Sequence, residues 1–259
     1  MAGKTTNAEG GAGIDPMHQF EVHALFDLPT IAGIDTSFTN SSLWMVIAVS
    51  LITVFMTAAS RGTSLVPGRM QLMGELAYSF VANMIKENIG TEGMRFFPFI
   101  FSLFMFILFC NMLGMLPYSF TVTSHLIVTF ALAATVFILV TLVGFARHGI
   151  GFLKLFVPSG IPVVLLPLLV VIELISYLTR PVSLSVRLFG NMMAGHTMLK
   201  IFGGFVVGLG SAGLIPLAIA PFALMVAFTG LELLIAGLQA YVFTILTCIY
   251  LNEAIHMDH

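Results

Sequence analysis

Five long apolar stretches constrain the fold of this chain more than any other feature. They cover residues 43–59, 97–116, 126–146, 161–202 and 214–251. A helix needs about 20 apolar residues to cross the hydrocarbon core of a bilayer, so each stretch reaches or exceeds spanning length. Only 8% of the residues are charged, whereas a soluble domain carries about 25%. The sequence therefore predicts an all-α integral membrane protein and excludes a disordered chain or a nucleic-acid-binding protein.

The last two stretches are longer than an upright span requires. Such lengths are accommodated by tilting, bending or partly horizontal packing, so residues 161–202 and 214–251 are predicted to form a long, strongly tilted helical hairpin. A glycine-rich segment separates them and is expected to form the turn. Its glycines are Gly203, Gly204, Gly208, Gly210 and Gly213.

Residues 69–89 have a different pattern. Their apolar residues recur at helical spacing on one side, and most polar residues occupy the other side. This pattern predicts an amphipathic helix on the membrane surface or against a partner, not a span. The apolar residues are Met70, Met73, Leu76, Ala77, Phe80, Val81, Met84 and Ile85.

The distribution of basic residues predicts the orientation. Six basic residues fall between the first and second spans or after the third, and all lie on one side if the N-terminus is outside. The chain then crosses five times and ends inside. We expect residues 1–42 to form a polar segment on the outer side, and residues 43–259 to form a single membrane domain. The six are Arg61, Arg69, Lys86, Arg95, Arg147 and Lys154.

Ionisable residues inside the fourth stretch require an explanation, because each costs about 2.5–3.5 kcal/mol at membrane depth. Glu173, Arg180 and Arg187 are spaced by seven residues, which places them on one helical stripe. Ser183 and Asn191 lie four residues on either side of Arg187 and extend that stripe.

The fifth stretch carries matching polar residues. Glu232 and Gln239 are again seven residues apart, and Tyr250 shares their face. An antiparallel hairpin centred near residue 213 pairs Arg187 with Gln239, and the same register pairs His196 with Glu232. However, His196 follows Arg187 by nine residues, about 180° around a straight helix. This placement indicates a bend, or two cavities on opposite sides.

Structural alternatives exist for these residues. Arg187 could form a salt bridge with Glu173 or Glu232, although this explains neither the histidine nor the aligned stripe. Arg180 precedes Pro181 and could satisfy local carbonyl groups, so a supporting role is favoured. A permanent cation beside titratable Glu and His side chains is typical of proton movement.

Two further polar residues, Asn111 and His125, lie near the ends of spans, where capping or interfacial roles are common. Cys110 and Cys248 lie inside apolar runs and are interpreted as packing residues. The sequence has no Cys/His metal spacing, no HExxH motif and no phosphate-binding loop. We therefore expect no metal, no cofactor and no catalytic site belonging to this chain alone.

Three segments carry a family resemblance. PVSLSVRLFGNMMAGH, residues 181–196, closely resembles the a subunit of F-type ATP synthases. LQAYVFTILTCIYL, residues 238–251, resembles the last helix of that family, and NMLGMLPY, residues 111–118, resembles its segment near the second span. Many bacterial relatives carry Glu first and His second where this chain has His196 and Glu232. The order found here resembles the mitochondrial and alphaproteobacterial branch.

This resemblance implies a specific function and a set of residue roles. The chain would be the stator half of a rotary proton motor, with two offset half-channels beside a ring of c subunits. Arg187 would be the essential arginine facing the ring carboxylates. The outer half-channel would contain His196, Glu232 and Gln239, and the inner one Glu173, Ser183 and Asn191. Supporting residues would be Arg180, Asn111, His125 and Tyr250.

The resemblance also implies partners and a location. The c-ring and the b/b′ peripheral stalk subunits would contact the chain, the F1 head would be coupled indirectly, and lipid would surround it. The location would be a bacterial inner membrane, which is favoured over a mitochondrial one. An ion-coupled secondary transporter is the alternative function, although no internal repeat is visible. An intramembrane metalloprotease is disfavoured by the absence of HExxH.

Overall fold

A computed structural model describes residues 23–26, 37–61, 68–116, 119–157 and 165–256. Most of the 1–42 segment, the first residues of the fourth apolar stretch (161–164) and residues 257–259 lie outside this described part. The described part is built almost entirely from helices, and five of its helices are long and apolar enough to cross a membrane. The predicted fold class, an all-α integral membrane protein, is confirmed.

Six α-helices follow each other along the described part of the chain, preceded by a short two-stranded antiparallel ribbon. Strand β1 (Ala24–Phe26) pairs with β2 (Phe38–Thr39). Shorter 3-10 helices cover Thr91–Phe96, Val122–Ser124 and Gly149–Phe156. The α-helices are α1 (Asn40–Ser60), α2 (Arg69–Asn88), α3 (Phe97–Gly114), α4 (Leu126–His148), α5 (Leu166–Ser211) and α6 (Ile215–Ile255).

The helix starts have local causes in the sequence. Thr39 precedes α1, and its hydroxyl accepts a hydrogen bond from the Ser42 amide at 3.4 Å, which satisfies one of the free donors of the first turn. Helices α3, α5 and α6 each carry proline at one of their first two positions. Proline is favoured there because its missing N–H has no helical partner in any case.

The turn of the long hairpin is shorter than expected. The prediction that all five glycines between residues 203 and 213 form the turn is wrong, because α5 continues through four of them to Ser211. Only Ala212, Gly213 and Leu214 connect the helices, and Gly213 has a φ of 75°, which favours glycine. A helix satisfies its own backbone groups, so in an apolar environment the chain remains helical despite the poor helix propensity of glycine.

The burial of helix α2 changes along its length. Its C-terminal half is buried through Val81, Met84 and Ile85, and the helix packs on α1, α3 and α6. The expected apolar face is not buried at its N-terminal end, where Met73 and Leu76 are 48% and 59% exposed. The helix is not among the five candidate spans.

The core lies where α3 and α4 pack against the hairpin of α5 and α6. Large fully buried side chains at its centre come from different helices, including Ile107 of α3, Val136 of α4, Leu188 of α5 and Phe243 of α6. This packing encloses polar side chains of all four helices.

Candidate functional site

His196 of α5 and Glu232 of α6 meet inside the hairpin. Their side chains are 10% and 4% exposed, and His196 Nδ1 lies 3.4 Å from Glu232 Oε1. The register derived from the sequence pairs these two residues, and the structure also places them opposite each other. The turn that brings them together follows fifteen residues of α5 after His196, so the pair lies well inside the hairpin and not at its tip.

The Glu232 carboxylate is unusual in its surroundings. Neither of its oxygens accepts a hydrogen bond from any residue that the structure describes, because the 3.4 Å approach of His196 lacks hydrogen-bond geometry. The backbone of α5 also approaches closely: a Cβ atom added at Gly195 would lie 2.8 Å from Glu232 Oε1. A buried carboxylate without hydrogen-bond donors is costly, and His196 is the polar side chain nearest to this one among the described contacts.

The other nitrogen of His196 contacts the connection between α3 and α4. Thr121 Oγ1 lies 3.0 Å from His196 Nε2 and 3.3 Å from the Gly114 carbonyl oxygen. A hydroxyl has one hydrogen, so Thr121 can donate to Gly114 and accept from His196, or donate to His196 instead. The hydroxyl can therefore follow a change of tautomer in the imidazole.

Asn111 at the end of α3 links two walls of the same region. Its Nδ2 donates to the Ala236 carbonyl of α6 at 3.2 Å, and its Oδ1 accepts from the Thr123 hydroxyl at 2.8 Å. Asn111 and Thr123 are both 0% exposed. Gln239 is also buried, two helical turns after Glu232 on α6 and hence near the same face. Buried polar side chains thus surround the His196–Glu232 pair.

Arg187 lies on the opposite side of α5, and its side chain is exposed in the isolated chain. Ser183 and Asn191 are exposed on the same stripe. No hydrogen bond joins Arg187 and Gln239 in the described residues: Gln239 is buried, whereas the rotation that turns His196 into the hairpin turns Arg187 outward. Within the described ranges Arg187 makes no ion pair, so neither Glu173 nor Glu232 neutralises it.

A second polar cluster contains Arg180. Its guanidinium forms an ion pair with Glu253 of α6, and it lies over the rings of Tyr177 and Tyr250 at 5.3 and 4.9 Å from their centroids. Arg180 therefore does not serve only the local carbonyls near Pro181. The side chain of Arg180 turns toward α6, whereas that of Arg187 does not. Arg180 therefore does not share the outward stripe that its seven-residue spacing from Arg187 predicts. Glu173 is half-buried two turns earlier.

His125 occupies a capping position. It precedes α4, and its carbonyl oxygen accepts from the amides of Val128 and Thr129 at 3.1 and 3.2 Å. Its ring stacks on Phe120 with centroids 4.8 Å apart. The buried Nε2 atom has no hydrogen-bond partner within the part of the chain that is described, and burial lowers the pKa of His125. The geometry agrees with the capping interpretation of this residue.

Residues 42–252 match the family model described as the ATP synthase A chain. The chain belongs to the ATP synthase A chain family. It is 58% identical to the ATP synthase subunit a of Parvibaculum lavamentivorans over the full length of both chains. It is also 59% identical to that of Pelagibacter ubique, over 95% of this chain and 99% of the relative. The subunit a of Chelativorans sp. is 57% identical over the same shares. These relatives come from alphaproteobacteria, which confirms the predicted branch.

Several residues of this member of the ATP synthase A chain family escaped the sequence reasoning. Thr121 and Thr123 lie in a short polar connection, where hydroxyl residues are common for turn formation alone. Gly195 has no side chain to attract notice, and Glu253 lies beyond the motif that resembles the last helix. Only the pairing of His196 with Glu232 could have indicated Gly195, because this glycine directly precedes the histidine.

Proposed function

We propose that this chain is the a subunit of an F-type ATP synthase, the stator that passes protons to and from a ring of c subunits. The observation that carries the proposal is the exposed Arg187 on the outward stripe of α5 that it shares with Ser183 and Asn191, without an ion-pair partner among the described residues. Arginine stays charged at any relevant pH, and a charge at membrane depth needs a partner. A carboxylate on a neighbouring ring would supply it.

The outer half-channel in this proposal centres on His196, Glu232 and Gln239, with Asn111 in support. A proton entering from outside reaches the imidazole through the Thr121 hydroxyl, 3.0 Å away. The imidazole passes it to Glu232, 3.4 Å from its other nitrogen. The two groups titrate as a coupled pair, so the transfer needs only a modest driving force.

The inner half-channel in this proposal uses Glu173, Ser183 and Asn191 of α5. The last two flank Arg187 on its exposed stripe, four residues away on each side. Arg187 separates the two routes, because a fixed positive charge repels a proton that would pass directly between them. It also favours the ionised form of an approaching ring carboxylate, so the ring must turn to carry each proton. Arg180, His125 and Tyr250 support the pathway by holding its walls.

Orientation and partners belong to the same proposal. The basic residues of the loops favour an outer N-terminus and an inner C-terminus in a bacterial inner membrane. The hairpin of α5 and α6 would lie strongly tilted along the ring, since both helices exceed an upright span. The b/b′ stalk and lipid would cover other faces, and the F1 head would be coupled through the complex. One charge crossing 100 mV releases about 2.3 kcal/mol, so several protons drive each ATP.

Replacement of Arg187 tests the proposal. The complex carrying Arg187→Ala or Arg187→Lys is reconstituted in vesicles, and ATP-driven proton pumping and proton-driven ATP synthesis are measured. Both variants should lose both activities, since ammonium is a compact charge that releases its proton more readily when desolvated. Arg95→Ala, which removes an exposed arginine outside the hairpin, is the matched control. Near-normal synthesis in either Arg187 variant would contradict the proposed role.

A further inference from the structure

Ser185 of α5 and Thr129 of α4 form a hydrogen bond inside the packed helices. Their hydroxyl oxygens are 3.2 Å apart, and both residues are 0% exposed. The Thr129 hydroxyl also lies 3.1 Å from the Leu126 carbonyl oxygen of its own helix. A hydroxyl has one hydrogen, so Thr129 can donate to that carbonyl and accept from Ser185. A serine inside a helix can bond to the carbonyl four residues earlier, yet the partner of Ser185 lies on another helix.

Two further bonds to threonine hydroxyls fall on the same face of α5. The Tyr177 hydroxyl lies 2.7 Å from Thr141 Oγ1 of α4, and His196 Nε2 lies 3.0 Å from Thr121 Oγ1. Tyr177, Ser185 and His196 are spaced by eight and eleven residues, which places them within about 100° of each other around an ideal helix. These three contacts therefore fix which face of α5 turns toward α4 and the connection before it.

Arg187 leaves the opposite side of the helix. It follows Ser185 by two residues, about 200° around the axis, and it is exposed whereas Ser185 is buried. A rotation of α5 by about 30° would move its Cα atoms by about 1.2 Å and the ends of its side chains by about 3 Å. Such a movement breaks the 3.2 Å bond between Ser185 and Thr129. The direction of Arg187 and this bond therefore depend on the same rotation.

Pro181 makes the segment that carries Arg187 depend on contacts of its own. This proline lies inside α5, and without an N–H it cannot donate to the Tyr177 carbonyl four residues earlier. A helix bends most readily where such a bond is missing, so the contact at Tyr177 controls the rotation beyond Pro181 less firmly. Ser185 makes the first hydrogen bond to α4 after Pro181 in the described part of the chain.

We infer that Ser185 is a positioning residue, whose hydrogen bond to Thr129 fixes the rotation of α5 after Pro181 and thereby aims Arg187 at the partner ring. This inference rests on the proposed function. An arginine that points elsewhere would meet the ring carboxylates less well. It would also leave the space between the two half-channels with less positive charge. Loss of the bond should thus slow proton pumping and also let protons pass without rotation of the ring.

A purely structural tie between α4 and α5 predicts a different pattern. It predicts fewer intact complexes after loss of the bond, with normal pumping and no extra proton passage in those that assemble. It also predicts the same effect for the bond between Thr141 and Tyr177, which joins the same two helices before Pro181. The two threonines are well matched, because each hydroxyl also lies within hydrogen-bond distance of a carbonyl of its own helix.

The test compares Ser185→Ala, Thr129→Val and the double variant in the full complex in vesicles. ATP-driven proton pumping and passive proton passage without nucleotide are both normalised to the amount of intact complex on a native gel. Each single variant should reduce pumping about fivefold, which corresponds to about 1 kcal/mol, and should raise passive passage several-fold. The double variant should resemble the single variants, because both remove the same bond.

Two control variants separate positioning from packing. Thr129→Ser keeps the hydroxyl and should match the unsubstituted complex in both measurements. Thr141→Val removes the matched bond before Pro181 and should not raise passive passage. If one single variant assembles poorly, the other supplies the comparison.

Three results would overturn the inference. They are unchanged pumping and passage in Ser185→Ala, a Thr129→Ser variant as impaired as Thr129→Val, and a Thr141→Val variant that raises passage as much as Thr129→Val. Each leaves the proposed function standing if Arg187→Ala still abolishes pumping. Normal pumping by Arg187→Ala removes the proposed function and this inference together.

Discussion

Glu232 packs directly against the backbone of Gly195, so that a Cβ atom at residue 195 would lie 2.8 Å from Oε1 and 3.0 Å from Cδ of the carboxylate. Real Cβ atoms do not approach that closely. The position of the Glu232 carboxylate beside His196 therefore depends on the absence of a side chain one residue earlier on α5.

Substitution of Gly195 tests this dependence. Gly195→Ala should displace the Glu232 carboxylate from His196 and reduce proton pumping by about tenfold, because proton transfer slows as the two groups move apart. Helicity should not fall, since alanine is the better helix former. The measurement is pumping in vesicles, with Gly208→Ala on the same helix as control, where an added Cβ meets no atom within 4 Å. Equal pumping by the two variants would show that the contact has no role.

The Thr121 hydroxyl provides a second test. Thr121→Val keeps the shape but removes the group 3.0 Å from His196 Nε2, whereas Thr121→Ser keeps it. Loss of one hydrogen bond costs about 1 kcal/mol, so valine should slow proton entry several-fold and serine should retain most of it. Thr135→Val is the control, because that hydroxyl bonds only to its own helix, at the Ala131 carbonyl. A serine variant as slow as the valine variant would argue against a relay through the hydroxyl.

Exchange of the buried pair provides a third test. His196→Leu and Glu232→Leu should each slow both pumping and synthesis while ATP hydrolysis by the detached head stays intact. The exchanged chain, His196→Glu with Glu232→His, should recover more activity than either single variant, because the 3.4 Å contact joins the same two groups in reverse order. Proton flux is measured for all three. An exchanged chain no better than the worse single variant would mean that the two residues are not one functional unit.

The pH dependence of the connection before α4 provides a fourth test. Burial lowers the pKa of His125 below its ordinary value, so the folded form binds its proton less readily than the unfolded form. The contribution of this residue to stability is therefore present above the ordinary pKa of about 6.5 and is lost as the pH falls below it. Hydrogen exchange of residues 119–125 should accelerate from pH 7.5 to pH 5.5, and His125→Leu should remove most of that dependence. The same acceleration in the leucine variant would assign it to another group.

The sequence predicts some of these relationships and not others, for physical reasons. The 196–232 contact follows from hairpin register, since both residues lie on long helices that share one turn. Arg187 is exposed and Gln239 is buried although the same register pairs them, because register fixes height along the hairpin and does not fix rotation about each helix. The ion pair between Arg180 and Glu253 depends on both the register of the hairpin and the rotation of each helix about its axis.

Contacts made by residues in the connections between helices are harder to predict. Thr121 reaches His196 across 75 residues of sequence, through a connection whose path depends on how tightly it packs on α3. A Cβ at Gly114 would lie 2.7 Å from the Thr121 methyl group, so this path depends on a small residue whose role is visible only once the chain is folded.

The amide of Asn111 has a consequence for chemical ageing. Its nitrogen donates to the Ala236 carbonyl while its oxygen accepts from Thr123, and only a group with both capacities satisfies the two neighbours. Deamidation would produce an aspartate of nearly the same shape, but it would place oxygen against oxygen at the 3.2 Å contact. It would also place a titratable carboxyl group in a buried region, where its charged form is costly. A change of one mass unit at this side chain would thus remove the hydrogen bond that joins α3 to α6 at Ala236.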